Sequence, residues 1–423
     1  MRFGINTIDE LDVRGKAVLC RIDINQPIDL AAGRLKSTAR IEACLPTLRE
    51  LSGRGAKLVL LAHQGSDIEY ANFYTTAPHA VVLASLLGRE VRFIDDVCGP
   101  AARAAIGDLP DGGILLLDNV RFCAEEQTLF EMKLCLSHEQ QARTQVVQKL
   151  APLADYYVCD AFAAAHRDQP TLCGFEQLLP SAMGRLFERE YCVVSELMEN
   201  PERPCVFVLG GAKVSDAFLM LETVLRRGAA DRVLTGGLVA NILLAAKGKR
   251  IGRGSLDFIQ KSNYYEFVEK AKPIVEAYTD RIMLPEKLAY AEGGARHEVA
   301  ISGEPGGFPE DICALDIGED TARAYAEIIH NAKTVFVNGP MGVFERAETE
   351  PGTRIVWEAL GDTDAYTVVG GGDSVAAARK YQLEDKIGYI CTGGGALIRF
   401  LTGEELPVVR ALRHAAKAFP IGR

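Results

Sequence analysis

No stretch of this 423-residue chain approaches 18 uninterrupted apolar residues, so no membrane-spanning helix is expected. The opening, MRFGINTIDELDVRG, lacks the basic-then-apolar pattern of a secretory signal. There is no CxxC spacing among the 11 cysteines, an odd count, so they read as thiols and not as paired cysteines. Cys20, Cys159, Cys205 and Cys391 sit inside apolar runs, so the thiols read as reduced and mostly buried in a cytoplasmic protein. Excess positive charge is also missing. The formal net charge of −10 argues against a nucleic-acid-binding surface but leaves room for a local basic cleft. The Walker string GxxxxGK[ST] does not occur, so any phosphate site must be built in another way. Low-complexity segments and short internal repeats are absent too.

What remains is a globular composition, 48% apolar and 25% charged, on a chain too long for one ordinary core. About a dozen apolar runs of strand length alternate with helical patterns. In the first half they lie at 17–22, 57–62, 91–94, 114–117 and 156–159. In the second half they lie at 206–209, 232–234, 282–284, 334–337, 367–369 and 389–391. Continuous apolar runs of this kind suit parallel strands covered on both faces. The expected fold is therefore α/β, with two doubly wound parallel-sheet, Rossmann-like domains. The expected boundaries are a first domain over 1–180 and a helical hinge over 181–200. A second domain follows over 201–405, and a closing segment over 406–423 packs back on the first. Asn200, Pro201 and Pro204 stop the connecting pattern.

Ligands of such sheets bind beyond the carboxyl ends of the strands, and the two halves differ there. First-half strands exit into polar and charged residues: Asp23 and Asn25, His63, Asn119 and Arg121, Asp160, His166 and Arg167. Second-half strands exit into glycines: Gly210-Gly211-Ala212-Lys213, Gly236-Gly237, Gly370-Gly371-Gly372-Asp373-Ser374 and Gly393-Gly394-Gly395. Glycines let backbone N–H groups approach phosphates, and the following helix offers its positive end. Arginine recognises phosphate and carboxylate through a planar fork. One half reads as a nucleotide site and the other as an anion site, which points to phosphoryl transfer.

Each motif alone has a plainer reading. Lys213 could be a surface lysine at a turn. Asp373 could cap its helix or hold Mg²⁺. The segment from Asn338 to Glu345 could be a simple turn. Arg121 and Arg167 could be surface ion pairs, and His63 and His166 satisfied core histidines. Their joint occurrence at strand exits outweighs these readings.

Taken in order, the strings resemble the phosphoglycerate kinase family over essentially the whole length. They are RIDINQP (21–27), the arginine of TARI (Arg40), LLAHQG (60–65), LLDNVRF (116–122) and YVCDAFAAAHR (157–167). LGGAKVSD (209–216), TGGLVAN (235–241), VNGPMGVFE (337–345), VGGGDSVAA (369–377) and CTGGGA (391–396) follow. The spellings RIDINQP and LLAHQ are closer to the archaeal branch. The resemblance implies reversible transfer between 1,3-bisphosphoglycerate and ADP, giving 3-phosphoglycerate and ATP, with Mg²⁺. It implies that Asp23, Asn25, Arg40, His63, Arg121, His166 and Arg167 hold the phosphoglycerate. Gly211, Lys213, Gly236, Gly237, Asn338, Glu345, Gly372, Asp373 and Ser374 would hold the nucleotide. Arg40, Lys213, Gly371 and Gly394 would serve the transferred group, with Gly395 nearby, and Asp373 would place the metal. A cytoplasmic monomer acting on small molecules, without nucleic-acid or membrane partners, is the matching expectation.

Two departures stand out. Family members carry an arginine soon after the histidine of the second strand, where this chain has Ser66-Asp67. Many also carry a second lysine four residues after Lys213, where this chain has Ala217. The first departure keeps open a kinase for another small carboxylic acid. A nucleotide-binding regulatory protein without turnover would predict damage at Lys213, Asp373 or Arg40, and all three are intact.

Overall fold

The computed structural model describes residues 1–29, 31–65, 74–126, 136–301 and 308–421. The chain forms two compact units, Met1–Cys192 with Glu404–Arg423, and Val193–Gly403.

The first unit is built on a six-stranded parallel sheet. Its spatial order is Arg92–Ile94, Ile114–Leu117, Lys57–Leu61, Ala17–Arg21, Tyr156–Cys159, Ser181–Met183. The second unit repeats the plan with the order Ile282–Met283, Arg232–Thr235, Cys205–Leu209, Thr334–Asn338, Tyr366–Gly370, Tyr389–Ile390. The central strands are buried almost throughout, as in Cys205–Leu209, because helices cover both faces. In each sheet the order reverses beside the earliest strands, and that switch creates a crevice at the carboxyl edge. The second unit adds a three-stranded antiparallel sheet, with Lys287–Glu292 between Ala295–Ala300 and Asp316–Ile317.

The connecting segment differs from the helical hinge expected over 181–200. Ser181–Met183 is an edge strand paired with 157–159, and the helix is Arg185–Glu199. Asp160 sets that break. Its Oδ1 accepts the N–H groups of Leu186 at 2.9 Å and Phe187 at 3.2 Å, satisfying the helix start. A Cβ on Gly184 would lie 2.3 Å from the same oxygen, so only glycine admits the carboxylate. The division between the units falls inside this helix, after Cys192.

The last helix, Pro407–Ala418, belongs to the first unit. It packs on Pro170–Cys173, Phe175–Gln177 and Ser181–Met183 through buried Val408, Val409, Leu412 and Ala415. Among the described residues ten cysteines are free thiols, and no helix is long and apolar enough to cross a membrane.

Candidate active site

The anion-binding candidates converge in the first unit around His63. The ring is buried, and burial first, then the charges of Arg21, Arg121, Arg167 and Arg40, holds its pKa well below the ordinary value. The imidazole is therefore neutral, and all four guanidinium groups bear on it.

Side-chain and backbone bonds fix this patch. The Arg40 guanidinium donates to Asp23 Oδ2. Asp23 Oδ1 accepts the Asn25 N–H at 3.1 Å. Asn25 Nδ2 donates to the Gly65 carbonyl at 3.1 Å, while Asn25 Oδ1 accepts the Gly65 N–H at 3.0 Å. The same carbonyl accepts from Arg121. Asn119 ties the neighbouring exit down, since its Oδ1 accepts the N–H groups of Gln64 at 3.2 Å and Arg121 at 3.1 Å. Its Nδ2 donates to the Gln64 carbonyl at 2.8 Å. Asp23, Asn25, Arg40 and Arg121 are thus one connected network through Gly65, and the His63 ring is held beside it by Arg21, whose Nη2 lies 3.1 Å from Nδ1. His166 and Arg167 follow the short turn Phe162–Ala164, on the exit of the neighbouring strand. Arg121 is buried, whereas Arg40 keeps 39% of its side chain exposed. Such a patch holds cations at fixed places and leaves Arg40 and Arg167 partly exposed to an anion. Ser66 and Asp67, the first departure, lie outside the described residues.

Three glycine-bearing loops of the second unit meet backbone to backbone. Gly211 N–H donates to the Pro340 carbonyl at 2.7 Å, and Gly237 N–H donates to the Met341 carbonyl at 2.6 Å. Leu238 N–H donates to the Gly211 carbonyl at 3.1 Å. Gly339 has φ +95°, and a Cβ there would sit 2.2 Å from the Gly210 carbonyl oxygen. That position demands glycine on both counts.

Beside these loops lies a cavity of about 440 Å³, within the range of small-molecule sites. Gly211, Gly237, Glu345 and Asp373 line it, with Leu238, Phe258, Leu315 and Val343 among its apolar walls. The helices at its edge start without side-chain caps: Val214–Arg226 after Lys213, Gly237–Ala246 after Gly236, and Gly372–Lys380 after Gly371. The helix Gly394–Leu401, after Gly393, is also uncapped. Uncapped N-termini leave N–H groups and the positive dipole end open to an anion.

Asp373 lies in the first turn of its helix but caps nothing. Of its two readings the cap is the one not realised, because Gly371 holds the N-cap position and no side chain accepts there. Asp373, Glu345 and Lys213 are exposed and make no hydrogen bond or ion pair among the described residues. Ser374 is buried, and its Oγ accepts the Gly339 N–H at 2.7 Å, fastening the 338–341 loop. Asn338 ends its strand beside Gly370, its Oδ1 close to the Gly371 Cα. Ala217, the second departure, is buried on the inner face of its helix.

Sequence reasoning missed Arg21, Gln64 and most of the apolar cavity wall. Arg21 lies inside the RIDINQP string, so a signal was there. Phe258 and Leu315 come from segments with no strand-exit pattern, and only folding brings them to the cavity.

A parallel α/β fold of two units, one with a cluster of arginines and one with a glycine-walled cavity and open helix N-termini, defines a kinase of small molecules. The phosphoglycerate kinase family model matches residues 8–404. Curated phosphoglycerate kinases from Methanothermobacter thermautotrophicus and Thermococcus kodakarensis are 44% and 42% identical over 413 and 412 residues. The two alignments cover 98% and 97% of this chain, and 98% of each relative. The crystal structure of phosphoglycerate kinase from Pyrococcus horikoshii superposes with a TM-score of 0.86 at 40% identity, covering 98% of this chain and all of that one. The structure of phosphoglycerate kinase from Coxiella burnetii gives 0.79 at 30% identity, covering 96% and 98%. The chain belongs to the phosphoglycerate kinase family. It is a phosphotransferase acting on small molecules, with ATP or ADP as co-substrate.

Proposed function

We propose that the protein transfers a phosphoryl group reversibly between 1,3-bisphosphoglycerate and ADP, with the phosphoglycerate on the arginine patch of the first unit. Asp23, Asn25, His63, Arg121, His166 and Arg167 hold the acid and its phosphate, and Arg40 meets the moving group. The nucleotide occupies the cavity of the second unit. Gly211 lines it, Gly236 and Gly237 lie against the base, Glu345 on the ribose, and Asn338 and Lys213 at the phosphates. Gly371, Gly372, Gly394 and Gly395 present helix N–H groups to the transferred phosphoryl oxygens, behind a loop kept in place by Ser374. The observation that carries this reading is the bonded network of Asp23, Asn25, Arg40 and Arg121 at the strand exit of the buried His63, itself held by Arg21.

Phosphoryl transfer needs positioned groups and compensated charge more than covalent chemistry. Arg40 is suited to that task because it is anchored by Asp23 yet partly exposed. Lys213 stands uncommitted at a helix start. Asp373 fits a magnesium site, since Mg²⁺ takes one or two carboxylates together with phosphate oxygens, and this carboxylate is unengaged at the cavity wall. Mg²⁺ there would neutralise phosphate charge.

The hinge expected over 181–200 belongs to this proposal, as do a cytoplasmic location, a monomeric state and the absence of nucleic-acid partners. The acidic net charge of −10 supports the last of these.

Purified protein given Mg²⁺, ATP and 3-phosphoglycerate should form an acyl phosphate that a coupled dehydrogenase consumes. Turnover no greater than that of Lys213→Ala would overturn the reading.

A further inference from the structure

Behind the patch lies a chain of buried polar side chains that the phosphoryl-transfer chemistry does not itself require. Arg21 and Glu126 are 1% exposed, Thr171 is fully buried, and His63 is 4% exposed. Arg21 ends the central strand Ala17–Arg21, and its guanidinium is held by four buried partners, the Leu61 carbonyl at 3.5 Å among them. Its Nη1 donates to the Ile22 carbonyl at 2.8 Å, and its Nε donates to Thr171 Oγ1 at 3.1 Å. Its Nη2 lies 3.1 Å from His63 Nδ1. The Thr171 hydroxyl, already accepting from Arg21, donates to Glu126 Oε1 at 2.5 Å, and the Thr171 N–H donates to Glu126 Oε2 at 3.0 Å.

The direction of every bond follows from the chemistry. A guanidinium has five donors and no acceptor. His63 Nδ1 must therefore accept, and the single proton of the neutral ring sits on Nε2. Nε2 has no hydrogen-bond partner among the described residues. Glu126 ends this chain of side chains. Burial pushes its carboxyl up, while Arg21 favours its charged form.

We propose that Glu126, Thr171 and Arg21 form a buried relay that locks His63 in the Nε2–H tautomer, so that the ring presents a donor, never a lone pair, to the anionic substrate. Arg21, Thr171 and Glu126 are positioning residues, acting through His63. The proposal rests on the reading of His63 as part of the phosphoglycerate site. The alternative tautomer would turn an acceptor toward an anion, losing a hydrogen bond and adding repulsion.

Nitrogen-15 NMR of the labelled full-length protein at neutral pH tests this, with His63→Gln identifying the His63 signals. The wild type should show one neutral tautomer, with Nδ1 bare and Nε2 protonated. A protonated Nδ1 would overturn the proposal whatever any variant does. Thr171→Val keeps the shape and removes the hydroxyl. It should yield a mixture of tautomers and raise the KM for 3-phosphoglycerate about ten-fold, the loss of one charge-assisted hydrogen bond, with the KM for ATP unchanged. Thr171→Ser should restore both readouts, and Glu126→Gln should give a smaller shift of the same kind. A single Nε2–H tautomer retained in Thr171→Val would refute the relay. Mixed tautomers with an unchanged KM would leave the relay standing and remove His63 from the phosphoglycerate site.

Discussion

Replacing Gly236 with alanine should damage the cavity of the second unit by sterics alone. Gly236 caps the helix Gly237–Ala246 at φ −147°, a backbone conformation any residue adopts. An added Cβ would lie 2.6 Å from both the Cα and the Sδ of Met341. Methionine sulfur can swing away, but the Cα cannot, because Met341 N–H is tied to Thr353 Oγ1 at 3.1 Å and its carbonyl accepts the Gly237 N–H at 2.6 Å. The two loops must separate. Overpacking of this kind costs about 1–3 kcal/mol. For a unit of about 210 residues that lowers Tm by roughly 2–12 °C. The same displacement opens the wall at Gly237 and should raise the KM for ATP about ten-fold, the equivalent of about 1.4 kcal/mol. The KM for 3-phosphoglycerate should not move. Gly372→Ala is the thermal control, since nothing lies within 4 Å of its added Cβ, and its Tm should stay within about 2 °C of wild type. Differential scanning calorimetry and steady-state kinetics read both effects. A Gly236→Ala protein with wild-type Tm and wild-type nucleotide KM would refute the close approach of these loops.

Arg40→Ala should lower kcat by about two to four orders of magnitude, as expected of a strong electrostatic contact in the transition state; a change confined to the KM for phosphoglycerate would reassign Arg40 to binding. Glu345→Ala should mainly raise the nucleotide KM, measurable in the same coupled assay. Acid should weaken the fold through His79, whose burial lowers its pKa from 6.5 to about 4. A base depressed in the folded state contributes stability that is complete above pH 6.5 and is lost as pH falls to about 4, to a total of about 3 kcal/mol. Urea unfolding at neutral and acid pH should show that slope flattened in His79→Gln, which can keep the bond to Gln64 now made by Nε2 at 2.9 Å. Ser66→Arg should lower the KM for 3-phosphoglycerate and steepen its salt dependence by adding a cation against an anion; an unchanged or higher KM would mean another basic residue fills that place, or that the substrate differs.

The sequence by itself determined the parallel α/β class, because continuous apolar runs such as Cys205–Leu209 satisfy only a strand covered on both faces. It determined most candidate site residues for a related reason. Strand exits are where such sheets present function, so Asp23, His63, Arg121, Gly236 and Asp373 announced themselves by position. Tertiary structure decided what local pattern cannot encode. Ser181–Met183 reads as the start of a helix until the neighbouring strand is present to pair with it, and Asp160, from the far side of a turn, starts that helix after Gly184. Asp373 has the composition of a cap, yet the glycine before its helix leaves it free to face the cavity. The cavity wall at Phe258 and Leu315, and the bonds from Arg21 to Thr171 and His63, join residues far apart in the chain. Such contacts have no period and no motif, because what selects them is the burial of a charge or a ring among neighbours that only the folded chain supplies.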